Sequence, residues 1–408
     1  MPLLRFRKNN GEMYEPIEEL VLSDLFEKIK ITNKDGNIKN VITNSAEYGL
    51  IPQREFFDKD IAVEGNTNKY IIINNGDFVY NPRKSSNAPY GPFKCYKRKE
   101  PGIVSPLYSC LKPKNPEYTE YLLHYFSSTA WHSYIYHNGN QGGARHDRVG
   151  MTDDLLNGIP ILLPEVKEQN KIVNFLDLYD KLIMNQECKL EAYENRKNGI
   201  ISKIFTQEIR FNANDNIEYE EWEEIELSKI LTERKMKSTG NEEVYSVSVA
   251  KGLVNQIEHM GRSFAAEDTS KYKVVIPGDV VYTKSPTGEF KWGIVKQSTI
   301  DKNVIVSPLY GVFIPKNKEL GYIVDAYFSS SIRAHNYLIT QIRKGAKNTI
   351  NISNDEFLDK TIYLPTDIKE QEKICEVINL LNQQVDVEKK KLESMKNVKK
   401  GLLQQLFV

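Results

Sequence analysis

Several signatures of common protein classes are missing from this sequence of 408 residues. No run of about 18 apolar residues occurs and the start lacks the apolar core of a signal peptide, so we expect neither a membrane span nor export. The four cysteines, Cys95, Cys110, Cys188 and Cys375, lie far apart without a C-x-x-C pair, which argues against a zinc site or a disulfide framework. We expect reduced thiols and a cytoplasmic location.

The common catalytic motifs are also missing. The sequence contains no Gly-x4-Gly-Lys-Ser/Thr, so no P-loop is expected, and no G-x-G-x-x-G follows a predicted strand. None of the six histidines belongs to an H-E-x-x-H motif. We therefore expect a chain that is not an enzyme and that holds no cofactor or metal ion of its own.

What the sequence does contain is an internal repeat with an offset of 202 residues. The sequence GDFVY at 76–80 recurs as GDVVY at 278–282, and VSPLY at 104–108 recurs unchanged at 306–310. A period of this length is too long for a solenoid, and it indicates a duplicated domain.

Each copy has two parts of different character. The first part, at 1–163 and 209–364, is rich in Tyr, Val, Ile and Gly, with short β-favouring runs between turn residues. The second part, at 164–208 and 365–408, has a helix-forming composition with no proline after its first two residues. The predicted fold class is α+β: two duplicated α+β domains, each followed by one long spacer helix.

Both predicted helices carry a heptad seam, which favours a coiled coil over an ordinary amphipathic surface helix. An antiparallel pair with a pseudo-twofold axis is the simplest arrangement, because the first helix leads away from domain one and the second can return. The polar breaks in the seam suggest a register that sets Lys197 against Glu388 and Lys399 against Gln186. A register shifted by one heptad overlaps more helix but loses this pairing, and it stays open as the alternative. The apolar seam positions are Ile172, Leu176, Tyr179, Ile183, Leu190, Tyr193, Ile200, Ile204, Ile374, Ile378, Leu381, Val385, Leu392, Met395, Leu402 and Leu406.

The charge distribution follows the repeat. The whole chain has 55 basic and 55 acidic residues, a net charge of zero that on its own argues against a nucleic-acid partner. Residues 80–150 and 282–352, however, each contain ten basic residues against four acidic ones, mixed with aromatic and amide side chains. Such mixtures suit double-stranded DNA, because cations neutralise phosphates while Arg, Asn and Gln can read base edges.

The candidate DNA-binding residues come from these two windows. The sequences GAR at 143–145 and GAK at 345–347 are the expected backbone clamps, since glycine admits a close approach and a cation follows at once. The full set of candidates is Arg83, Lys84, Lys94, Lys97, Arg98, Gly143, Arg145, Arg148, Lys284, Lys291, Lys296, Arg343, Lys344, Gly345 and Lys347.

Each half ends in the same way: a Leu-Pro pair, then Lys-Glu-Gln at 167–169 and 369–371, then a long heptad helix. This constellation resembles the specificity subunit of type I restriction-modification systems, over nearly the whole chain. The resemblance implies two target recognition domains that each read half of a split DNA site, joined by an antiparallel coiled coil. It also implies two methyltransferase subunits as partners, with restriction subunits in the full complex, and S-adenosylmethionine, ATP and Mg²⁺ on those partners.

Two other functions stay open on the sequence alone. Asp279, Glu289 and Lys291 have the spacing of a Mg²⁺-dependent nuclease triad, although copy one matches only the aspartate, as Asp77. A coiled-coil adaptor without DNA contact is the other alternative.

Overall fold

The chain forms two compact units in a computed structural model. Unit 1 combines Met1–Glu187 with Lys390–Val408, and unit 2 is Cys188–Lys389. Each unit therefore contains one α+β domain and a part of each long helix. The structure describes residues 2–56, 67–139, 147–214, 217–260, 268–340, 343–344 and 350–407.

The elements before the first long helix belong to unit 1. Its strands are β1 (Glu18–Val21), β2 (Phe26–Lys28), β3 (Ile42–Ser45), β4 (Gly49–Pro52), β5 (Ile71–Ile73), β6 (Phe78–Tyr80), β7 (Phe93–Cys95), β8 (Gly102–Val104), β9 (Ser109–Pro113) and β10 (Pro160–Leu163). Its short helices are α1 (Leu22–Leu25), α2 (Gln53–Phe56), α3 (Thr119–Ser127), α4 (His132–Asn138) and α5 (Asp153–Asn157), with a 3₁₀ turn at Pro116–Tyr118.

The first long helix is α6 (Val166–Phe205), and unit 2 repeats the elements of unit 1 after it. The strands are β11 (Asn212–Asn214), β12 (Ile217–Glu218), β13 (Glu223–Glu226), β14 (Leu231–Glu233), β15 (Tyr245–Ser248), β16 (Gly252–Asn255), β17 (Lys273–Val275), β18 (Val280–Tyr282), β19 (Val295–Gln297), β20 (Val304–Val306), β21 (Gly311–Pro315), β22 (Arg343–Lys344), β23 (Ile350–Asn351) and β24 (Thr361–Leu364). The helices are α7 (Gln256–Met260), α8 (Lys318–Phe328), α9 (Ser331–Leu338), α10 (Asn354–Leu358) and α11 (Ile368–Leu406), with a 3₁₀ turn at Leu227–Lys229.

The sheet topology confirms the duplication. Unit 1 has an antiparallel four-stranded sheet in the order β2-β9-β6-β7, and unit 2 has the matching order β14-β21-β18-β19. Two-stranded pairs also match, among them β3-β4 with β15-β16, β5-β8 with β17-β20, and β1-β10 with β13-β24. The predicted α+β class is therefore correct for both copies.

Aromatic side chains fill the core behind each four-stranded sheet. In unit 1 the rings of Phe93 and Phe126 stack with centroids 3.8 Å apart, and Phe126 comes from α3. In unit 2 Tyr282 stacks on Phe357 of α10 at 4.5 Å. Large buried rings dominate core energetics, so each sheet and its helices share one packed core on which a surface loop can be held.

The two long helices occur where the sequence predicts them. The helix α6 has 40 residues and α11 has 39. Among the described residues, no helix combines the length and apolar character that a bilayer span requires.

The predicted seam faces inward in both units, since every one of its positions is buried or half-buried. In unit 1 Leu406 of α11 shares a core cluster with Ile172 and Leu176 of α6. In unit 2 Ile204 of α6 shares a cluster with Ile374 of α11. In each unit, some seam side chains of one long helix pack near the other long helix, and others pack against the α+β domain of that unit.

The suggested seam register is wrong. Glu388 accepts a hydrogen bond from Lys189 at 2.8 Å instead of facing Lys197, and Lys399 bonds Asp180 instead of Gln186. Both partners lie six to eight residues, about one heptad, earlier in α6 than the hypothesis placed them.

The lysines that interrupt the seam lie beside the sheets. Lys399 is close enough to Lys94 of β7 that its charge contributes to lowering the pKa of Lys94, after the larger effect of burial. In unit 2 burial lowers the pKa of Lys197, and the charges of Lys389 and of Lys296 in β19 act in the same direction. The two seam lysines therefore occupy equivalent places: Lys399 lies near Lys94, and Lys197 lies near Lys296. A register derived only from helix-to-helix contacts could not predict these neighbours.

Candidate nucleic-acid interface

One loop in each unit connects the two strands that form an edge of the four-stranded sheet. We call residues 81–92, between β6 and β7, tip loop 1, and residues 283–294, between β18 and β19, tip loop 2. Both lie within the basic windows of the sequence.

Backbone hydrogen bonds close the two tip loops at equivalent points. In tip loop 1 the Ser85 and Ala88 amides each donate to the other's carbonyl, at 3.0 and 3.2 Å. In tip loop 2 the Thr287 and Phe290 amides do the same, at 3.0 and 2.9 Å. Each loop therefore ends in a hairpin turn with two residues between the bonded pair.

A buried tyrosine supports each tip loop from below. The Tyr80 hydroxyl donates to the Tyr90 carbonyl, and the Tyr282 hydroxyl donates to the Trp292 carbonyl, both at 2.7 Å. Burial raises the pKa of both hydroxyls, so they remain protonated donors across the physiological range. The support is the same in both copies although the residues of the tips differ.

A glycine with positive φ turns each tip loop back toward the sheet. Gly91 has a φ of +85°, and a Cβ there would lie 2.1 Å from the Asn81 carbonyl oxygen. Gly293 has a φ of +94°, and a Cβ there would meet the Tyr282 ring at 2.8 Å. No L side chain fits either position without moving the loop.

Tip loop 1 brings three of the predicted cations together. Arg83 and Arg148 form an antiparallel bridge, and the Lys84 amide donates to the Asp147 carbonyl at 2.8 Å. The Arg83 side chain is 70% exposed and lies 3.8 Å from the Asp147 carboxylate, a loose surface ion pair. The segment that follows the predicted clamp at 143–145 is thus held against tip loop 1.

Tip loop 2 holds the corresponding segment with a lysine. Lys284 has a left-handed φ of +53°, and its Nζ donates to the Ile352 carbonyl at 2.8 Å. Burial lowers the pKa of Lys284 to about 8. We assign Lys284 a positioning role, because its ammonium group is half-buried and bonded to the backbone.

The exposed residues of tip loop 2 border a small cleft of about 220 Å³. Its walls include Phe290 and Trp292, and Lys291 lies at its edge. The Trp292 Nε1 donates to His335 Nδ1 at 2.8 Å, which fixes His335 as the tautomer with a proton on Nε2. Lys291 is exposed, so its charge is available to a phosphate.

Four other predicted cations lie away from the tips. Lys94 and Lys296 are on β7 and β19, where Lys296 pairs with Asp325 of α8 at 2.9 Å. Lys97 pairs with Glu120, and Arg98 pairs with Glu55 at 2.9 Å. These four residues are not brought together with the tip-loop cations. Several further candidates, Gly143, Arg145, Gly345 and Lys347, and the side chains of Arg343 and Lys344, lie outside what the structure describes.

The structure does not support the nuclease triad. The Asp279 carboxylate accepts two bonds from Arg234, at 2.5 and 2.8 Å, and one from the Ile276 amide at 2.8 Å. Through these bonds the Asp279 carboxylate holds the turn before β18. Glu289 and Lys291 instead lie on the exposed end of tip loop 2. Within the described part of the chain, no group of three or more His, Cys, Asp or Glu residues could hold a metal ion.

Sequence reasoning missed two features of this region. It did not connect Asp147 with tip loop 1, nor His335 with Trp292, because both contacts join segments far apart in the chain. No short-range pattern marks such pairs, although the basic windows that contain them were visible.

Known proteins are similar to this chain in sequence and in fold. The family model described as "Type I restriction modification DNA specificity domain" matches residues 14–192. The MjaVIII type I restriction enzyme specificity subunit of Methanocaldococcus jannaschii is 25% identical over 84% of this chain and 80% of its own. The putative MjaX type I restriction enzyme specificity subunit of the same organism is 22% identical over 98% of this chain and 95% of its own.

A solved structure has the same fold. It comes from work on complex assembly and conformational transition of a type I R-M system, is 12% identical, and aligns with a TM-score of 0.57 over 97% of this chain and 98% of that one. This likeness shows the fold. By sequence, residues 14–192 belong to the family of type I restriction modification DNA specificity domains, and most of the chain is similar to type I restriction enzyme specificity subunits.

Proposed function

We propose that this chain reads a bipartite, asymmetric DNA site, one half with each α+β domain, and carries no catalytic group itself. The observation that carries the proposal is the tip loop, which is built on the same frame twice with different exposed residues. Two loops with the same backbone support but different exposed side chains suit two domains that bind different half-sites. The backbone support fixes the position of each loop on the DNA, and the exposed side chains determine which bases are preferred.

The proposed DNA contacts centre on the two tips. Arg83, Lys84 and Arg148 around tip loop 1, and Lys291 on tip loop 2, are proposed to approach phosphates. We retain Gly143, Arg145, Gly345 and Lys347 as proposed clamps, because the segments that follow them lie against the tip loops. Lys94, Lys97, Arg98, Lys296, Arg343 and Lys344 rest on the sequence alone.

We propose that α6 and α11 form an antiparallel coiled coil between recognition domains at 1–163 and 209–364. The heptad seam, which is buried or half-buried along its length, supports this pairing, as do the Lys189–Glu388 bond at 2.8 Å and the Lys396–Glu187 ion pair at 2.6 Å. Forty residues of helix rise about 60 Å, enough to keep two readers one turn of DNA or more apart.

The proposed partners are two methyltransferase subunits and, in the full complex, restriction subunits. Exposed leucines recur at the repeat offset on the long helices, Leu178 being 60% and Leu380 51% exposed. Two equivalent apolar spots fit two copies of one partner. S-adenosylmethionine, ATP and Mg²⁺ are proposed to bind those partners, and the DNA substrate places the activity in the cytoplasm.

Exchanging one recognition domain tests the proposal. Replacing residues 1–163 with the corresponding domain of another specificity subunit should change one half of the adenine-methylated motif of the host and leave the other half intact. Mapping methylated adenines across the genome measures both halves at once. An unchanged motif, or no motif lost when the gene is deleted, would favour an adaptor without DNA contact.

A further inference from the structure

At the end of each tip loop, one exposed side chain has no role in holding the loop together. Asn87 is the second of the two residues between Ser85 and Ala88, and Glu289 is the second between Thr287 and Phe290. Both side chains are exposed. Among the residues that the structure describes, neither side chain has a hydrogen-bond or ion-pair partner.

The two positions are structurally equivalent as well as 202 residues apart. Each lies in a two-residue turn closed by a reciprocal backbone pair, and each loop is fixed from below by Tyr80 or Tyr282. Gly288 precedes Glu289 with a φ of +54°, as hairpin turns of this length prefer. A rigid frame matters here, because base readout requires a side chain to be held in one place.

The chemistry at the two positions differs in a way that matches different bases. An Asn side chain can pair with adenine through N6 and N7 in the major groove, whereas a carboxylate accepts from the N4 amino group of cytosine. A two-stranded β-ribbon fits that groove. We propose that residues 87 and 289 are specificity-determining: Asn87 selects an adenine in one half-site and Glu289 selects a cytosine in the other.

The Glu289 carboxylate is the more selective of the two groups. Phosphates repel an acid on a DNA-facing surface, and no cation of the described residues pairs with Glu289. The amino groups of bases are the donors that DNA offers to such a group. Lys291, exposed two residues later, can neutralise a neighbouring phosphate while Glu289 contacts the base.

Exchange of the two tip residues tests this inference, which rests on the proposed function. The chain in complex with its methyltransferase partner selects duplexes from a library with both half-sites randomised. Glu289→Asn should change the preferred base at one position of one half-site from cytosine to adenine, by about tenfold or more. Asn87→Glu should make the converse change in the other half-site. Asp301→Asn removes an exposed acid of the same domain away from the tip and should leave both half-sites as they are.

The outcomes separate the inference from the proposed function. If the unchanged chain selects no sequence at all, the proposed function itself fails. If it selects a bipartite motif that Glu289→Asn and Asn87→Glu leave intact, the tip residues do not set specificity. Loss of selection at every position, in a variant that keeps salt-dependent binding to random duplex, also overturns the inference, because the residue would then support the structure of the site instead of choosing one base.

Discussion

Arg5 donates two hydrogen bonds to the buried carboxylate of Glu168, from Nη2 at 2.6 Å and from Nε at 3.2 Å. The second copy repeats the pair, with Arg210 Nε donating to Glu370 at 3.3 Å. Both glutamates are 1% exposed and lie in the first turn of a long helix. The first residues of each α+β domain are thereby tied to the long helix that follows that domain.

Removing Arg5 should therefore destabilise unit 1. In Arg5→Met the Glu168 carboxylate stays buried without its partner, a change that costs about 3–5 kcal/mol in comparable buried pairs. We expect hydrogen exchange of the amides around β1 and the start of α6 to accelerate accordingly. Arg210→Met should likewise destabilise unit 2, because it removes the bond to Glu370 together with those to the Tyr219 and Glu220 carbonyls.

A surface ion pair of the same segment serves as the control. Lys8 lies 3.9 Å from Glu15, and the Glu15 side chain is 76% exposed. Lys8→Met should change stability by no more than about 0.5 kcal/mol. Equal acceleration of exchange in the Lys8 and Arg5 variants would show that the buried pair has no special role.

The sequence pointed to the Lys-Glu-Gln motif but not to the reason for it. Glu168 and Glu370 recur at an offset of 202, whereas their arginine partners recur at 205, so the pairs do not appear in one repeat register. Helix periodicity was visible because it is local. The seam register was predicted wrongly because the interrupting lysines lie beside the sheets rather than only between helices.

One substitution should have opposite effects in the two copies. Asp77 and Asp279 are equivalent buried carboxylates, but only Asp279 has an arginine partner, Arg234, among the described residues. Burial raises the pKa of Asp77, so Asp77→Asn should leave unit 1 equally or more stable at neutral pH. Asp279→Asn should destabilise unit 2 by roughly 3 kcal/mol, since it leaves the guanidinium unpaired.

Hydrogen exchange of each four-stranded sheet, measured at several pH values, checks this pair. The raised pKa of Asp77 means that its ionisation costs stability as pH rises from the unfolded value of 3.8 through the folded one, and Asp77→Asn should remove that dependence. If Asp77→Asn and Asp279→Asn destabilise their units to the same extent, the Arg234 partner of Asp279 does not account for a difference between the two aspartates.

The tip glycines should control DNA reading more than global stability. In Gly91→Ala the new Cβ would collide with the Asn81 carbonyl, so the end of tip loop 1 must move. We expect weaker selection for the first half-site, with unchanged selection for the second. Gly293→Ala should weaken selection for the second half-site and leave selection for the first unchanged.

Gly76 provides the matched control. It also has a positive φ, +89°, but a Cβ there would meet nothing within 4 Å. Gly76→Ala should cost about 1 kcal/mol from backbone strain and leave the selected sequence intact. A loss of half-site selection in Gly76→Ala would mean that strain alone, and not the position of the tip, explains the Gly91 result.

A buried histidine should make unit 1 sensitive to mild acid. Burial lowers the pKa of His124 below its usual 6.5, although the Asp177 carboxylate 3.0 Å from its Nε2 opposes the shift. The unfolded chain therefore binds the proton more readily, and stability falls as pH drops below about 6.5. His124→Gln keeps a donor toward Asp177 without titrating, so its stability should fall less between about pH 7.5 and 5.5. If the stability of the His124→Gln variant falls with pH as steeply as that of the unchanged chain, His124 is not the cause of the acid sensitivity.

The tip loops show what sequence alone can and cannot say about the site. Their basic and aromatic content pointed to the windows that contain the tip loops, because composition is visible without contacts. The choice among fifteen candidate residues was not possible, since ion pairs such as Lys97 with Glu120 join residues that are distant in sequence. Asn87 and Glu289 became comparable only once the backbone pairing of both turns was known.

The repeated leucines of the long helices should matter for partner binding and not for DNA selection. Leu178→Glu and Leu380→Glu place a charge on two exposed apolar spots, and each should raise the dissociation constant for one methyltransferase subunit about tenfold or more. Leu107 and Leu309, 58% and 64% exposed in the recognition domains, are the matched controls. Titration of the purified chain with the methyltransferase subunit, followed by mass measurement of the complex, should show one bound copy in each single variant and none in the double variant. Two tightly bound copies in the double variant would place the partner elsewhere on the chain.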